Sequence, residues 1–195
     1  MATIRQACRK DLTDIKEMTD QFIGQDYYTL AFLEEVLDSE HHYIYIMADE
    51  QDKPMAYLYF FSEQFCKAEE ILHIPPQSLE FLNISPDTRV GVYKTTCTRP
   101  EYRRGGILTR FLQELEEVLI EDGVDTILFT ALELPGGIIP VDSVVRSVGF
   151  SPVRRLEQLW VNIDSYCPYC KKRYCTCNAV IYTKKLKGGY IHEKV

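Results

Sequence analysis

Four cysteines stand within eleven residues: Cys167, Cys170, Cys175 and Cys177, a C-x-x-C pair followed after four residues by a C-x-C pair. Thiolates are soft ligands, and four of them close a tetrahedral zinc site that is structural, with no position left for substrate. Lys171, Lys172 and Arg173 lie between the pairs and offset the negative charge of such a site. The short spacer departs from common zinc-ribbon spacings, so an iron–sulfur cluster, disulfides and free thiols remain alternatives. Cys8, Cys66 and Cys97 are scattered along the chain.

A second group of residues suits an anion. Pro100-Glu101-Tyr102-Arg103-Arg104-Gly105-Gly106 separates a β-rich run at 90–98 from an amphipathic helix. A helix start offers unpaired backbone N–H groups and the positive end of the helix dipole, and glycines let those amides approach a phosphate closely. Arg103 and Arg104 add guanidinium groups of suitable geometry. An ordinary strand-to-helix turn has the same residues, so this segment alone leaves both readings open. Neither a G-x-x-x-x-G-K-[ST] loop nor a G-x-G-x-x-G fingerprint is present.

The elements that must position these groups follow from periodicity. A short strand at Ile4 to Ala7 precedes a helix capped by Asp11, with Leu12, Ile15, Met18 and Phe22 on one face. Thr29 caps a second helix bearing Leu30, Leu33, Val36 and Leu37. The runs 43–48 and 55–61 flank a polar turn and read as a hairpin. The segment 67–87, interrupted by Pro75, Pro76 and Pro86, lacks a clean period and reads as an excursion with one helical turn. After the Gly turn, Leu108, Phe111, Leu112, Leu115, Val118 and Leu119 share one helical stripe. A buried strand at 126–132, a helix at 141–148 and strands at 154–163 and 179–186 follow, with the cysteine cluster at the tip between the last two. The polar tail 187–195 is expected to fray.

The residues from Pro100 to Leu108 resemble motif A of the GNAT superfamily of N-acetyltransferases, [Q/R]-x-x-G-x-[G/A] with a P-x-Y-R lead-in. Arg103 matches its first position and Gly106 its central glycine, while Leu108 stands where the family usually has Gly or Ala. Ile4-Arg5-Gln6-Ala7 is similar to the family's opening strand, and Val144 to Phe150 to its late helix ending in Gly-Phe. The resemblance covers almost the whole chain. It implies an α/β fold: one domain over 1–195 with a GNAT-like mixed central sheet flanked by helices, and a cysteine-rich insertion at 166–178 on the C-terminal β-hairpin. It implies acetyl-CoA as cosubstrate and an amine acceptor, either a small molecule or a peptide. The backbone of Thr96, Cys97 and Thr98 would pair with the pantetheine arm, and the amides of Arg104, Gly105, Gly106, Ile107, Leu108 and Thr109 would hold the pyrophosphate. The late strands often help dimers form in that family, so the resemblance allows a homodimer without fixing the oligomeric state.

The catalytic groups are harder to place. The family often uses a tyrosine four residues before the glycine of the late Gly-Phe as general acid, and here that position is Val145. Strand alternation puts Val92, Lys94 and Thr96 on one face and Tyr93, Thr95 and Cys97 on the other. Tyr93 and Lys94 can titrate, although a structural role is the ordinary one. Glu133, near where the family's cleft opens, is a further candidate base beside its plainer reading as a solvated carboxylate. Cys97 has no histidine near it in sequence, which favours direct transfer over an acyl-cysteine route. Tyr27 and Tyr28 lie in the loop that lines the acceptor site in the family. Val145 and Leu108 also permit an alternative, an acyl-CoA-binding module without turnover. A second alternative is an interaction protein organised around the four-cysteine hairpin.

Composition agrees with one globular domain. The 195 residues are 46% hydrophobic and 26% charged, enough for a core without staples. A net charge of −7 disfavours nucleic acid as main partner and suits a cationic amine. No apolar run approaches the ~20 residues that span a bilayer, and the N-terminus lacks an apolar export segment, so a cytoplasmic protein is expected.

Overall fold

A computed structural model describes residues 2–75 and 77–186. The expected frayed tail 187–195 lies outside the described residues. Strands β1 (Thr3–Gln6), β2 (His42–Ala48), β3 (Pro54–Gln64), β4 (Arg89–Thr98), β5 (Thr126–Glu133), β6 (Ser151–Leu156) and β7 (Asn178–Lys185) form one sheet in the order β1-β2-β3-β4-β5-β7-β6. Every pairing is antiparallel except β4 with β5. Helices are α1 (Leu12–Phe22), α2 (Leu30–Leu37), α3 (Phe65–Ile71), α4 (Ile107–Glu114), α5 (Glu116–Glu121) and α6 (Asp142–Ser147).

Both faces of the sheet are covered. Leu12, Ile15 and Met18 of α1 and Leu33 and Val36 of α2 pack with Tyr57, Tyr59, Phe61 and Val92. On the other face Phe111, Leu112, Leu119 and Val145 pack with Leu58, Phe60, Tyr93, Phe129 and Tyr182. Strand β3 therefore feeds successive aromatics into opposite cores, which is why it reads as a continuous apolar run. The hydroxyl of buried Tyr57 lies 2.7 Å from Thr19 Oγ1 and is thereby satisfied.

Several expected boundaries shift. Thr29 caps α2 as its sequence requires, accepting from the Phe32 amide at 3.1 Å. Asp11 stands at the start of α1, but its carboxylate turns back to the Cys8 amide at 2.8 Å and to Arg5 at 2.8 and 2.9 Å. The long amphipathic stripe after the Gly turn is carried by two helices, α4 and α5, that meet at Leu115 with its φ at −96°. The excursion after β3 begins with two turns of helix, α3, because Phe65 and Ala68 find the core. The strand expected at 154–163 ends at Leu156, and the chain then runs through turns to the cysteines. Strand β6 ends the sheet and has a register shift between Pro152 and Arg154.

Asp11 is 2% exposed and ties the first strand to the first helix through Arg5. Burial pushes its pKa up, but the bonds from Arg5 and Cys8 outweigh that and hold it below the usual carboxylate value. Asp11→Ala should cost roughly 1.5–3 kcal/mol in chemical denaturation, because it removes the charged hydrogen bonds from Arg5, which keeps Asp52 as a partner, and from the Cys8 amide. A depressed carboxylate stabilises the fold fully above its unfolded-state pKa and loses that contribution as pH falls through the folded one. The gap between wild type and variant should thus close below about pH 4 in an acid titration followed by circular dichroism.

Candidate active site

The two parallel strands hold together for only three residue pairs, Gly91 with Ile127, Val92 with Leu128 and Tyr93 with Phe129. Beyond them β4 and β5 part. On its other side β4 carries a bulge: Tyr59 faces Thr95 and Phe60 faces Tyr93, leaving Lys94 without a partner on β3. The extra residue corrects the simple alternation expected from sequence. Val92 and Cys97, five positions apart, share the α1 face, while Tyr93 faces α4.

The parted strands enclose a cavity of about 210 Å³. Lys94, Thr95 and Thr96 line one side, and Phe129, Thr130, Ala131 and Leu132 the other. Ile23 and Tyr27 near the end of α1, Ile71, Leu72 and His73 at the end of α3, Pro140 and Val141 before α6, and Trp160, Ile163, Ser165, Cys167, Tyr169 and Cys175 from the cysteine segment also line it. Thr130 Oγ1 is buried there with no hydrogen-bond partner among the described residues. An unpaired buried hydroxyl facing a cavity is the kind of group a ligand satisfies.

Lys94 is the one lysine or arginine in this lining among the described residues. Its Nζ donates to the Ile71 carbonyl at 3.3 Å and sits 6.0 Å from the centre of the Tyr28 ring. No carboxylate pairs with it among the described residues. Burial alone pushes its pKa down to about 8. Tyr28 donates to, or accepts from, Thr95 Oγ1 at 2.6 Å, which fixes the loop after α1 against β4. Burial raises the Tyr27 phenol to about 12, so it stays protonated, and lowers His73.

The other sequence candidates lie elsewhere. Tyr93 is enclosed by Phe60 and Phe150 in the opposite core, where burial holds its phenol protonated. Glu133 lies on β5 itself, binds Arg155 at 2.6 Å and lines a different depression together with Gly136 and Cys177. Cys97 points at the Met18 carbonyl, 3.7 Å away, and burial pushes its thiol up to about 12, so it presents no thiolate to the cavity.

At the outer end of β4 the chain makes a short turn of helix at Pro100–Tyr102 and enters α4 through Arg104 and Gly106, both left-handed with φ of 65° and 74°. The amides of Tyr102 and Arg103 bond back to Arg99 and Pro100, whereas those of residues 104–109 have no backbone acceptor among the described residues. Arg103 stacks over Phe22 at 5.2 Å and donates to the Thr98 carbonyl at 3.0 Å, so its guanidinium braces the turn. Arg104 is exposed.

Residues 6–135 match the family model described as acetyltransferase (GNAT) family. The chain belongs to that family. Solved structures with the same fold include Naa20 from Chaetomium thermophilum in complex with a bisubstrate analogue, at TM-score 0.69 and 15% identity over 99% of this chain and 91% of that one. Arabidopsis thaliana NAA60 in complex with acetyl-CoA aligns at TM-score 0.68 and 12% identity over 95% and 100%. A chain of the NatC complex bound to Gag peptide and CoA aligns at 0.65 and 13% over 95% and 99%. At these identities the likeness is one of fold. No curated protein matches the sequence.

The matched span of this GNAT chain stops before the cysteine segment, which nonetheless reaches the site. Cys167, Cys175, Tyr169 and Trp160 line the cavity. Their position along the chain carries no signal for that, since these residues lie more than sixty positions from β4. The ligand atoms of Cys167, Cys170, Cys175 and Cys177 lie within 4.8 Å of one another, so the expected metal ligands do converge. Val145, where this family often has its tyrosine, is fully buried in the α4 core.

A Cβ at Gly106 would meet nothing within 4 Å, so only backbone strain opposes a side chain there. Gly106→Ala should cost about 1 kcal/mol, a fall of roughly 2–4 °C in melting temperature. A much larger fall would mean that the turn is packed from outside and closed to an anion.

Proposed function

We propose that the chain transfers an acetyl group from acetyl-CoA to the amine of a small molecule or peptide, directly and within a ternary complex. The parting of β4 and β5 beside a turn with free amides carries this reading. The amides of Arg104 to Thr109 hold the pyrophosphate at the positive end of α4. The inner edge of β4, with Thr96, Cys97 and Thr98, pairs with the amide groups of the pantetheine arm as a sheet edge pairs with a peptide. That path leads the thioester down the cleft toward Lys94 and Thr130.

Transfer needs a neutral amine. Lys94, with no counter-ion and a pKa lowered by burial, is the base best placed in the cavity. It takes a proton from the acceptor's ammonium. The freed nitrogen attacks the acetyl carbonyl carbon, an N–C bond forms, the C–S bond breaks, and the proton that the new amide nitrogen sheds ends on the departing CoA thiolate. We assign the relay of that proton to Tyr27 and Tyr169, two phenols that line the cavity. A zinc ion on the four cysteines would take no part in the chemistry, since a closed set of four thiolates leaves no open position. The buried Val145 favours a second reading, in which acetyl-CoA is bound without turnover.

Calorimetric titration of the full chain with acetyl-CoA should give saturable binding that Arg103→Ala/Gly106→Glu abolishes. No binding by wild type would overturn both readings. Thiol release across a panel of amines and peptides separates them. With an acceptor in hand, Lys94→Arg should lower kcat by about 10²–10⁴-fold and remove the rise in rate through about pH 8, leaving acetyl-CoA affinity intact. An unchanged pH profile would remove Lys94 from the base role.

A further inference from the structure

The segment 157–177 between β6 and β7 folds back over the open end of the cleft and carries only turns and isolated bridges. Loops of that length without secondary structure need something to order them. Its own apolar cluster is small: Cys167, Cys175 and Cys177, with Leu132, Trp160 and Cys170 against them.

The cysteines are arranged for an ion. All four are free, and Cys170 Sγ lies 3.9 Å from Cys175 Sγ. A disulfide needs about 2.05 Å, whereas the edge of a zinc–thiolate tetrahedron with ~2.3 Å bonds is about 3.8 Å. The C-x-x-C pair forms a tight knuckle, in which Cys167 donates its amide to the Lys172 carbonyl and accepts from Lys171, both at 2.9 Å, with Lys171 left-handed.

Immediately before the knuckle the chain is fastened to the loop after α1. Ser165 Oγ donates to the Gln25 carbonyl and the Gln25 amide to the Tyr166 carbonyl, each at 3.1 Å. A Cβ on Gly24 would come within 2.4 Å of Ser165 Oγ, so the two segments approach as closely as glycine allows. That loop carries Tyr27, in the cavity lining, and Tyr28, bonded to Thr95 beside Lys94.

We propose that zinc held by Cys167, Cys170, Cys175 and Cys177 is a clasp for the acceptor side of the cleft: it orders the 157–177 segment, which in turn holds the 24–29 loop and its tyrosines over the site. The clasp rests on the acetyltransferase reading only for the word acceptor; the metal and the coupling stand on these contacts alone. Removal of the metal should loosen the acceptor wall and leave the Gly turn before α4 as it is.

The full chain is purified, its metal content measured, and hydrogen exchange compared between zinc-loaded and chelator-stripped protein. The expected result is one zinc per chain, replaceable by cobalt with the absorption of a tetrahedral tetrathiolate. On stripping, amides in 24–29 and 158–177 should lose protection while those of β2, β3 and α4 keep theirs. The emission of Trp160, the only tryptophan, should shift to the red. Ser165→Ala should keep the zinc and loosen 24–29 alone. Absence of metal, or iron in its place, would overturn the zinc assignment, and a zinc-loaded chain whose 24–29 amides ignore stripping would overturn the clasp. An acetyl-CoA titration of both forms keeps the two readings apart: equal binding is expected, and its failure in both would sink the acetyltransferase reading without touching the metal result.

Discussion

Everything at the site depends on the early parting of the two parallel strands. Parallel neighbours are joined by a crossover, and here the crossover is α4 and α5, which leave from the end of β4. Because β4 and β5 stay paired only as far as Tyr93 and Phe129, the start of α4 stands at the mouth of an open wedge instead of over a closed sheet. Among the described residues, the same parting leaves the inner edge of β4 beyond Tyr93 without a strand partner and Thr130 with an unanswered hydroxyl. Crevices beyond the carboxyl ends of parallel strands are where open α/β sheets bind ligands.

The wedge stays open because its flanks are stiff. β4 is backed by a long antiparallel pairing with β3, and β5 by eight residue pairs with β7. Aromatic side chains on both faces interlock the strands, with Phe60, Tyr93 and Phe150 in edge and tilted contacts on one side and Tyr28, Phe32 and Tyr59 on the other. Groups mounted on such strands keep their positions better than groups on loops. The single bulge that turns Lys94 into the cavity is thus held by a rigid frame.

Much of the fold was legible because its signals are local. Thr29 caps its helix, the apolar stripes of α1 and of α4 with α5 face the core, and the Arg-Gly turn lies between a strand and a helix as its residues required. What escaped was set by contacts distant in sequence or by backbone detail without a residue signature. A bulge in Val-Tyr-Lys-Thr-Thr-Cys-Thr leaves no mark on composition, so the face of Lys94 could not be read by alternation. The break at Leu115 involves neither Gly nor Pro. Phe65 and Ala68 form a helix because the core accepts them, in a stretch with no clean period. The approach of Ser165 to Gln25 joins residues 140 positions apart, and that contact brings the cysteines from a hairpin into the wall of the cleft.

The outermost strands bear on how the molecule keeps to itself. β6 ends the sheet with Pro152, a shift of register beside it and the cations Arg154 and Arg155, while the opposite end is closed by the four-residue β1. Proline lacks a donor, the bulge twists the edge away, and the exposed Arg154 sets a charge on that edge. Growth of the sheet by recruitment of another chain's strand is thereby disfavoured at both ends. A sheet rich in buried aromatics is in this way guarded against edge-to-edge aggregation.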